Sequence, residues 1–214
     1  MTKSAKTKKG SPKDTGPKMK KSARTKATLL QAALKHFSNT GYSATSIQDI
    51  VDEADFTKPT LYYYFDSKAD LFSALIEQAL KDFQFLFEES VSGGGSVRDV
   101  LLGLLLNSSK QVQERGSIVR LIHYSFSAAE KEIPYRDKCL QEAMKLPLIL
   151  EEFFAKEIQA GNLKSKFKTN DIAEMFLGVI NHFANKQLVR KEPPLTRKHA
   201  EAIIDMFLCG VESQ

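Results

Sequence analysis

Apolar residues recur at the spacing of an α-helix along almost the whole chain. In the first such segment they fall three and four residues apart, on one face of a helix: Leu30, Ala33, Leu34 and Phe37. Gly41 follows the last of them, and glycine is common just after the C-terminus of a helix. Alternating apolar and polar runs flanked by turn dipeptides, the signal of β-strands, are nearly missing. The pattern therefore predicts an all-α chain whose first helix begins near Ala27 and ends before Gly41.

A short second helix is predicted next. Ser46, with Asp49 three residues later, forms a capping-box pattern at its start. The apolar positions again keep the helical spacing: Ile47, Ile50, Val51 and Ala54. A tight turn at residues 55–56 follows, so the next helix is expected to pack at an angle to this one.

A third short helix and a long fourth helix come after the turn. Thr57 is a suitable N-cap for the third helix, and Pro59 falls in its first turn, where a missing N–H costs nothing. Phe65 is expected to end it. Ser67 with Asp70 makes a second capping-box pattern, which predicts the start of the fourth helix.

Five further amphipathic helices are predicted downstream. A Ser-Gly-Gly-Gly-Ser run at residues 92–96 separates them from the fourth helix. Pro147 is expected to kink the third of the five or to divide it, and Pro193-Pro194 marks the last connection. The expected bounds are 97–115, 117–131, 135–160, 171–190 and 196–212.

Charge is divided unevenly along the chain. Residues 1–26 hold ten Lys or Arg and one Asp, which gives +9, whereas the whole 214-residue chain carries +5, so the rest of the chain carries −4. A basic segment that contains Pro, Gly and Ser is typical of disorder. Its charge fits either a solvated solubility tail or an arm that contacts nucleic acid.

Three consecutive tyrosines, Tyr62, Tyr63 and Tyr64, fall in the third predicted helix. Successive helical residues point about 100° apart, so the three rings cannot all enter one core. Two short helices joined by a tight turn are typical of a helix-turn-helix, whose later helix lies in the major groove of DNA. There, phenol hydroxyls reach phosphate oxygens and Lys58 reaches a guanine. The pattern therefore favours a recognition helix that carries outward-facing tyrosines.

The run TKPTLYYYFDSKADLF at residues 57–72 closely resembles the DNA-binding domain of the tetracycline-repressor (TetR) family. The resemblance covers residues 27–75 by motif and the rest by helical architecture and length. It implies a dimeric transcription factor, usually a repressor that a small ligand releases. The turn usually carries glycine in this family, whereas here it has Asp55, which tolerates the left-handed conformation. Three parts are expected: a disordered basic tail at 1–21, a helix-turn-helix DNA-binding domain at 22–67, and a helical ligand-binding and dimerisation domain at 68–214.

The resemblance also implies which side chains contact DNA. Ser46 would hold a phosphate, and Gln48 would contact a base or the backbone. Tyr63 takes the more variable, base-reading position. Tyr64 and Lys68 match phosphate contacts, and Lys68 would act together with the N-terminus of the fourth helix. The full implied set is Ser46, Gln48, Thr57, Lys58, Pro59, Thr60, Tyr62, Tyr63, Tyr64 and Lys68.

Several of these residues have a plain structural alternative. Gln48 and Thr60 fit a solvated helix surface, and Tyr64 fits the core. Lys68 fits an ion pair with Asp66 or Asp70.

The downstream helices are amphipathic and can enclose a pocket for a small molecule. The candidate lining residues lie on or near their apolar stripes: His123, Tyr124, Phe126, Met144 and His182. Ordinary packing is the alternative for each of them. Together with the resemblance, this pattern predicts an apolar or amphipathic small-molecule effector.

The last two predicted helices are broadly apolar, more so than a single subunit would be expected to cover. They suit a two-fold interface of four helices, which the resemblance also implies. A two-fold dimer presents two recognition helices, so we expect a roughly palindromic operator in double-stranded DNA. The candidate interface residues are Phe176, Ile180, Phe183, Ile204, Phe207 and Leu208.

Other function classes lack a sequence signal. We expect no enzyme and no cofactor, because no nucleophile–base pair, paired-carboxylate motif or phosphate loop is found, and no metal, because the histidines lack ligand spacing. No apolar run approaches the ~20 residues of a membrane span. Cys139 and Cys209 suit a reduced cytoplasm. We therefore expect a cytoplasmic DNA-binding regulator; a DNA-bound protein whose C-terminal bundle binds another protein is the alternative.

Overall fold

Every regular element is an α-helix within the part of the chain that the computed structural model describes, residues 17–127 and 136–212. This confirms the predicted all-α class. None of these helices is both long and apolar enough to cross a membrane. The helices are α1 (Pro17–Thr40), α2 (Ile47–Glu53), α3 (Lys58–Tyr64), α4 (Lys68–Ser92), α5 (Val97–Ser127), α6 (Arg136–Ala143), α7 (Lys145–Gln159), α8 (Thr169–Arg190) and α9 (Arg197–Val211).

Side chains cap both short helices as predicted. The Ser46 hydroxyl accepts a hydrogen bond from the Asp49 N–H at 3.1 Å, and the Asp49 carboxylate accepts one from the Ser46 N–H at 2.8 Å. At the start of α3 the Thr57 hydroxyl accepts from the Thr60 N–H at 3.4 Å, and Pro59 falls in the first turn. These bonds satisfy N–H groups that have no partner inside the helix, so residues close in sequence set where α2 and α3 begin.

The cap of α4 differs from the prediction in one partner. The Ser67 hydroxyl accepts from the Asp70 N–H at 3.0 Å, as expected. The Asp70 carboxylate, however, accepts from the Asp66 N–H at 3.1 Å rather than from Ser67. The Ser67 backbone is more extended, with φ of −159° against −100° at Ser46, so its N–H points in a different direction.

Helix α1 begins at Pro17, ten residues before the expected start near Ala27. The expectation of a disordered tail at 1–21 is therefore wrong for residues 17–21, and its remainder, 1–16, lies outside the described residues. Residues 17–26 lack an apolar stripe but are rich in Lys, Arg, Ala and Met, which favour helix, and proline is favourable at a first helical position. Missing periodicity here indicates missing burial, not missing helix.

Boundaries in the C-terminal part also differ from the prediction. The helices expected at 97–115 and 117–131 are one element, α5, with non-helical backbone at Arg115 (φ −129°, ψ 30°); its expected end at 131 lies outside the described residues. The helix expected at 135–160 is divided at Met144 into α6 and α7. Pro147 falls in the first turn of α7, where it needs no N–H partner, so it does not kink that helix.

Helix α4 belongs to two hydrophobic cores. Its first half packs with α1, α2 and α3 through Phe72 and Ile76, which meet Phe37 and Leu61 among the fully buried side chains of the first core. Its second half contributes Phe87 to a second core with α5, α7, α8 and α9. Because the helix is continuous over 25 residues, it mechanically joins the N-terminal domain to the C-terminal bundle.

Candidate DNA-binding face and ligand cavity

The three consecutive tyrosines diverge as expected. Tyr63 is 77% exposed and Tyr62 is 50% exposed on the outer side of α3, whereas Leu61 and Phe65 are buried beneath it. Tyr64 is half-buried against the first core, and its ring meets that of Tyr63 edge-on with centroids 5.0 Å apart. The helix therefore holds two phenols toward solvent, and the third supports one of them from below.

Local bonds hold the N-terminus of α3 in place. The Thr57 and Thr60 hydroxyls are hydrogen-bonded to each other at 3.0 Å, and Lys58 and Pro59 are exposed beside them. Asp55 takes the left-handed conformation, with φ of 54°, as expected for the residue in place of glycine. The Phe56 N–H then donates to the Val51 carbonyl at 2.9 Å and closes the turn. The outer face of α3 is thus presented at a fixed angle to α2.

Helix α2 presents Ser46 and Gln48 to solvent, next to carboxylates. The Gln48 amide donates to Asp52 at 2.6 Å. Hydrogen bonds from the backbone and side chain of Ser46 hold the pKa of Asp49 below its usual value of 3.8. This charge stays on the same surface at neutral pH, so α2 alone offers a phosphate little electrostatic attraction.

The Lys68 ammonium lies inside the domain, not on its surface. It donates to the Tyr42 carbonyl at 2.9 Å and to the Thr45 carbonyl at 2.8 Å, and it lies 4.4 Å from the centre of the Tyr42 ring. Burial lowers its pKa below 10.5. Lys68 thus ties the first turn of α4 to the turn that precedes α2. Sequence reasoning missed this because backbone carbonyls 23 and 26 residues upstream leave no signal in the sequence.

Positive charge lies on the N-terminal half of α1. The Lys26 ammonium is 5.4 Å from the centre of the Phe65 ring, at the C-terminal end of α3. Lys21 and Arg24 are exposed on the turn before it. Since these residues are helical, their positions relative to α3 are fixed by the fold.

A cavity of about 700 Å³ lies between α4, α5, α6, α7 and α8. One side is apolar, with Leu80, Phe83 and Phe87 from α4 facing Val112 and Ile122 from α5. The polar lining groups come from α5 and α8: Ser108, His123, Asn181, His182 and Asn185. Volumes of ~300–1,000 Å³ are typical of small-molecule sites. The arrangement suits a molecule with an apolar body and a polar end.

Three of the five predicted cavity residues line this space: His123, Met144 and His182. Tyr124 does not line it; the residue follows His123 on α5, so its side chain points about 100° away and is exposed. The side chain of Phe126 lies outside the described residues. Burial lowers the pKa of His123 below 6.5, which favours the neutral imidazole at neutral pH.

Five of the six predicted interface residues are instead core residues of a single subunit. The buried side chains are Phe176, Ile180, Ile204, Phe207 and Leu208, and Phe183 is half-buried. Phe176 meets Phe207 with ring centroids 5.3 Å apart, and Phe183 meets His199 at 5.7 Å. The most apolar faces of α8 and α9 turn inward because they complete the second core.

A different stripe on each of these helices is exposed. On α8 the exposed residues recur three and four apart: Met175, Gly178, His182, Asn185 and Val189. On α9 the same spacing gives His199, Ala202, Met206 and Cys209. Met175, Val189 and Met206 are 62%, 72% and 68% exposed, so three large apolar side chains face solvent here. The 3-4 spacing, which marks helix pairing, was the signal that sequence reasoning overlooked.

Comparison with known proteins agrees with this arrangement. Residues 29–75 match the family model described as "Bacterial regulatory proteins, tetR family". The chain is 26% identical over 201 residues to a Bacillus subtilis (strain 168) protein named as an uncharacterized HTH-type transcriptional regulator, YdgC, which covers 89% of this chain and 94% of that protein.

Two solved structures share the fold. The fatty acid degradation regulator FadR from Bacillus halodurans superposes with a TM-score of 0.77 at 17% identity, over 94% of this chain and 100% of that one. The transcriptional regulator FadR from Bacillus subtilis, solved in complex with stearoyl-CoA, gives 0.72 at 16% identity, over 87% and 99%.

Proposed function

The chain belongs to the TetR family of bacterial transcriptional regulators, and from that premise we propose that it is a homodimeric repressor released from a palindromic operator by an amphipathic small molecule. It acts on double-stranded DNA in the cytoplasm. The observation that carries this proposal is the path of α4, which is packed into the DNA-binding domain at one end and forms a wall of the cavity at the other.

The DNA contacts are assigned to the outer face of α3 and its neighbours. Tyr63, the most exposed, reads base edges in the major groove, and Lys58 and Tyr62 contact bases or adjacent phosphates. Ser46, Gln48 and the α3 N-terminus, with Thr57, Pro59 and Thr60, border the backbone. The half-buried Tyr64 supports the Tyr63 ring and directs its own hydroxyl to a phosphate.

Electrostatics requires basic residues beyond α3. Residues 29–75 hold three lysines against six Asp or Glu, a net charge of −3. Such a domain is repelled by the phosphate backbone except at its contact face. Lys21 and Arg24, on the helical start of α1 near α3, supply positive charge where the DNA backbone passes.

Lys68 is assigned a positioning role. The resemblance implies a phosphate contact, but two of its three N–H donors bond to carbonyls within the domain. Through these bonds a movement of α4 reaches the turn before α2, and with it the pair of helices that holds α3. Lys68 therefore transmits the state of the cavity to the DNA-binding face.

Dimerisation is assigned to the exposed stripes of α8 and α9. Neither stripe contains Lys, Arg, Asp or Glu, and both mix small residues with Met or Val. An uncharged surface is compatible with itself under two-fold symmetry, whereas a surface of one charge would repel its copy. Burying Met175, Val189 and Met206 removes the largest apolar side chains of this surface from water.

The effector is assigned to the class of molecules with a long apolar part and a hydrogen-bonding end. The apolar side of the cavity, formed by α4 and α5, accommodates a hydrocarbon part, and the amides and imidazoles from α5 and α8 face the polar end. FadR from Bacillus subtilis, which shares the fold, was solved with stearoyl-CoA, a molecule of this general kind. Filling the space beside Phe83 and Phe87 displaces α4 and changes the separation of the two recognition helices.

The test begins with selection of binding sequences from random double-stranded DNA. A two-fold symmetric site bound by one dimer is expected; an asymmetric site bound by one subunit contradicts the proposal. Tyr63→Ala should abolish the sequence preference, whereas Phe85→Ala, which removes an aromatic side chain that is 61% exposed on α4, should leave it intact.

Effector release is tested on the selected site. Stearoyl-CoA and stearyl alcohol, which share an apolar chain but differ in charge, are titrated into the protein–DNA complex. Loss of DNA affinity with either one supports the proposal. If neither binds the protein, and a broad screen of apolar molecules gives no release, the C-terminal bundle is a protein-binding module instead.

A further inference from the structure

We propose that the cavity is a composite site closed by the second subunit, so that effector binding and dimerisation strengthen each other. This inference rests on the proposed dimer and goes beyond it, because a dimer could form without touching the cavity. It identifies the α8 wall of the cavity as a place where ligand and partner subunit meet.

The evidence is an overlap between two sets of residues. Gly178, His182 and Asn185 line the cavity, and the same three residues are the centre of the exposed stripe on α8. A cavity wall formed within one subunit would shield its lining residues from solvent. These three are exposed, so the cavity is incomplete along α8 in a single subunit.

The second copy is the occupant that fits this opening. The stripe on α8 continues across to α9, whose exposed positions have the same 3-4 spacing and the same lack of charged residues. The ring contact between Phe183 and His199 places the start of the α9 stripe beside the end of α8. Two copies related by a two-fold axis bring this surface against itself, which covers Gly178, His182 and Asn185 in both subunits.

Closure changes the chemistry of the polar wall. In an open cavity, bulk water competes for the side chains of Asn181, His182 and Asn185. When the partner excludes that water, hydrogen bonds between these groups and the polar end of a ligand become stronger, because the local dielectric constant falls. The ligand in turn adds contacts beneath the interface. By linkage, the factor by which dimerisation raises ligand affinity equals the factor by which the ligand raises dimer affinity.

The experiment compares dimeric and monomeric full-length protein with the neutral apolar fluorophore Nile red. Met206→Asp places a charge in the α9 stripe, outside the cavity, and is expected to separate the subunits. Leu148→Asp is the matched control, since Leu148 is 60% exposed on α7 and belongs to neither the stripe nor the cavity lining. Ala184→Leu, which enlarges a cavity-lining side chain, identifies the fraction of dye bound in the cavity.

Cavity-bound dye should bind on the order of tenfold more weakly to Met206→Asp than to the wild type or the control, a factor within the usual range for coupled sites. Saturating dye should raise the dimer affinity of the wild type by the same factor in sedimentation. Equal dye affinity in monomer and dimer, or dissociation of the dimer by dye, overturns the inference while the proposed dimer stands.

Two results separate this inference from the proposed function. If the wild type is itself a monomer at micromolar concentration, the proposed dimer is wrong. If Met206→Asp loses its helical circular-dichroism signal, dilution of the wild type through its dimer dissociation range supplies the monomer, and unchanged dye affinity across that range again overturns the inference.

Discussion

Replacing Lys68 with methionine separates the two roles that this residue could have. Methionine keeps an unbranched, flexible stem but removes the ammonium that bonds to the Tyr42 and Thr45 carbonyls. If the ammonium positions the turn before α2, the substitution weakens both the fold and operator binding. If it contacts a phosphate, the substitution weakens operator binding through charge alone.

The size of the effect follows from the contacts. Hydrogen bonds that involve a charged group contribute ~1.5–3 kcal/mol each, and a cation near an aromatic ring adds ~0.5–2 kcal/mol. The Lys68 side chain is only partly buried, and the two carbonyls of the variant regain some water, so the lower end applies. We expect Lys68→Met to lower the free energy of unfolding by about 2–3 kcal/mol. Lys68→Arg, which keeps the charge and the donors, should recover part of this loss.

The deciding assay is the salt dependence of operator binding. Each phosphate contact contributes about 0.9 to the slope of log K against log salt, so loss of one contact per subunit lowers the slope of a dimer by about 1.8. A positioning role predicts at least a tenfold loss of affinity, or ~1.4 kcal/mol, with the slope unchanged. Lys35→Met is the charge control, because Lys35 pairs with Glu53 at 2.7 Å on the domain surface and exposed pairs contribute ~1 kcal/mol or less. A slope that falls by about 1.8 while the unfolding free energy stays constant would refute the positioning role.

Three further predictions concern a glycine, a histidine and the N-terminal segment. Gly41 has φ of +84° and open space around its missing Cβ, so Gly41→Ala should cost about 1 kcal/mol in urea unfolding through backbone strain alone; Gly103→Ala, within α5 and equally unobstructed, should stabilise by ~0.5–1 kcal/mol, and the same sign for both would contradict this. The lowered pKa of His123 means that, below pH 6.5, the unfolded chain binds a proton before the folded chain does, so stability should fall on acidification through that window. His123→Gln should flatten this fall in urea titrations across pH, and an unchanged pH dependence would assign it to other groups. Residues 1–16 contain five lysines and one aspartate, and their removal should lower the salt slope of operator and random DNA binding alike, by about 0.9 per phosphate lost, whereas equal slopes would mark the segment as a passive extension.

Features that depend on residues close in sequence were predicted correctly. The caps at Ser46 and Thr57, the left-handed Asp55 and the outward direction of Tyr62 and Tyr63 involve partners within four residues. At that range helix geometry fixes which groups meet, so residue type and spacing are sufficient. The recognition helix belongs to this class of feature, and its motif was therefore specific.

Features that depend on distant parts of the chain required the tertiary structure. Both α8 and α9 carry apolar residues on more than one face, so composition alone could not tell the core face from the stripe that includes Met175 and Met206. The direction of the Lys68 ammonium and the cavity between five helices likewise depend on segments brought together from positions tens of residues apart. Which face is buried is decided by the competition among all helices for the same core, and that competition is settled only when the chain packs as a whole.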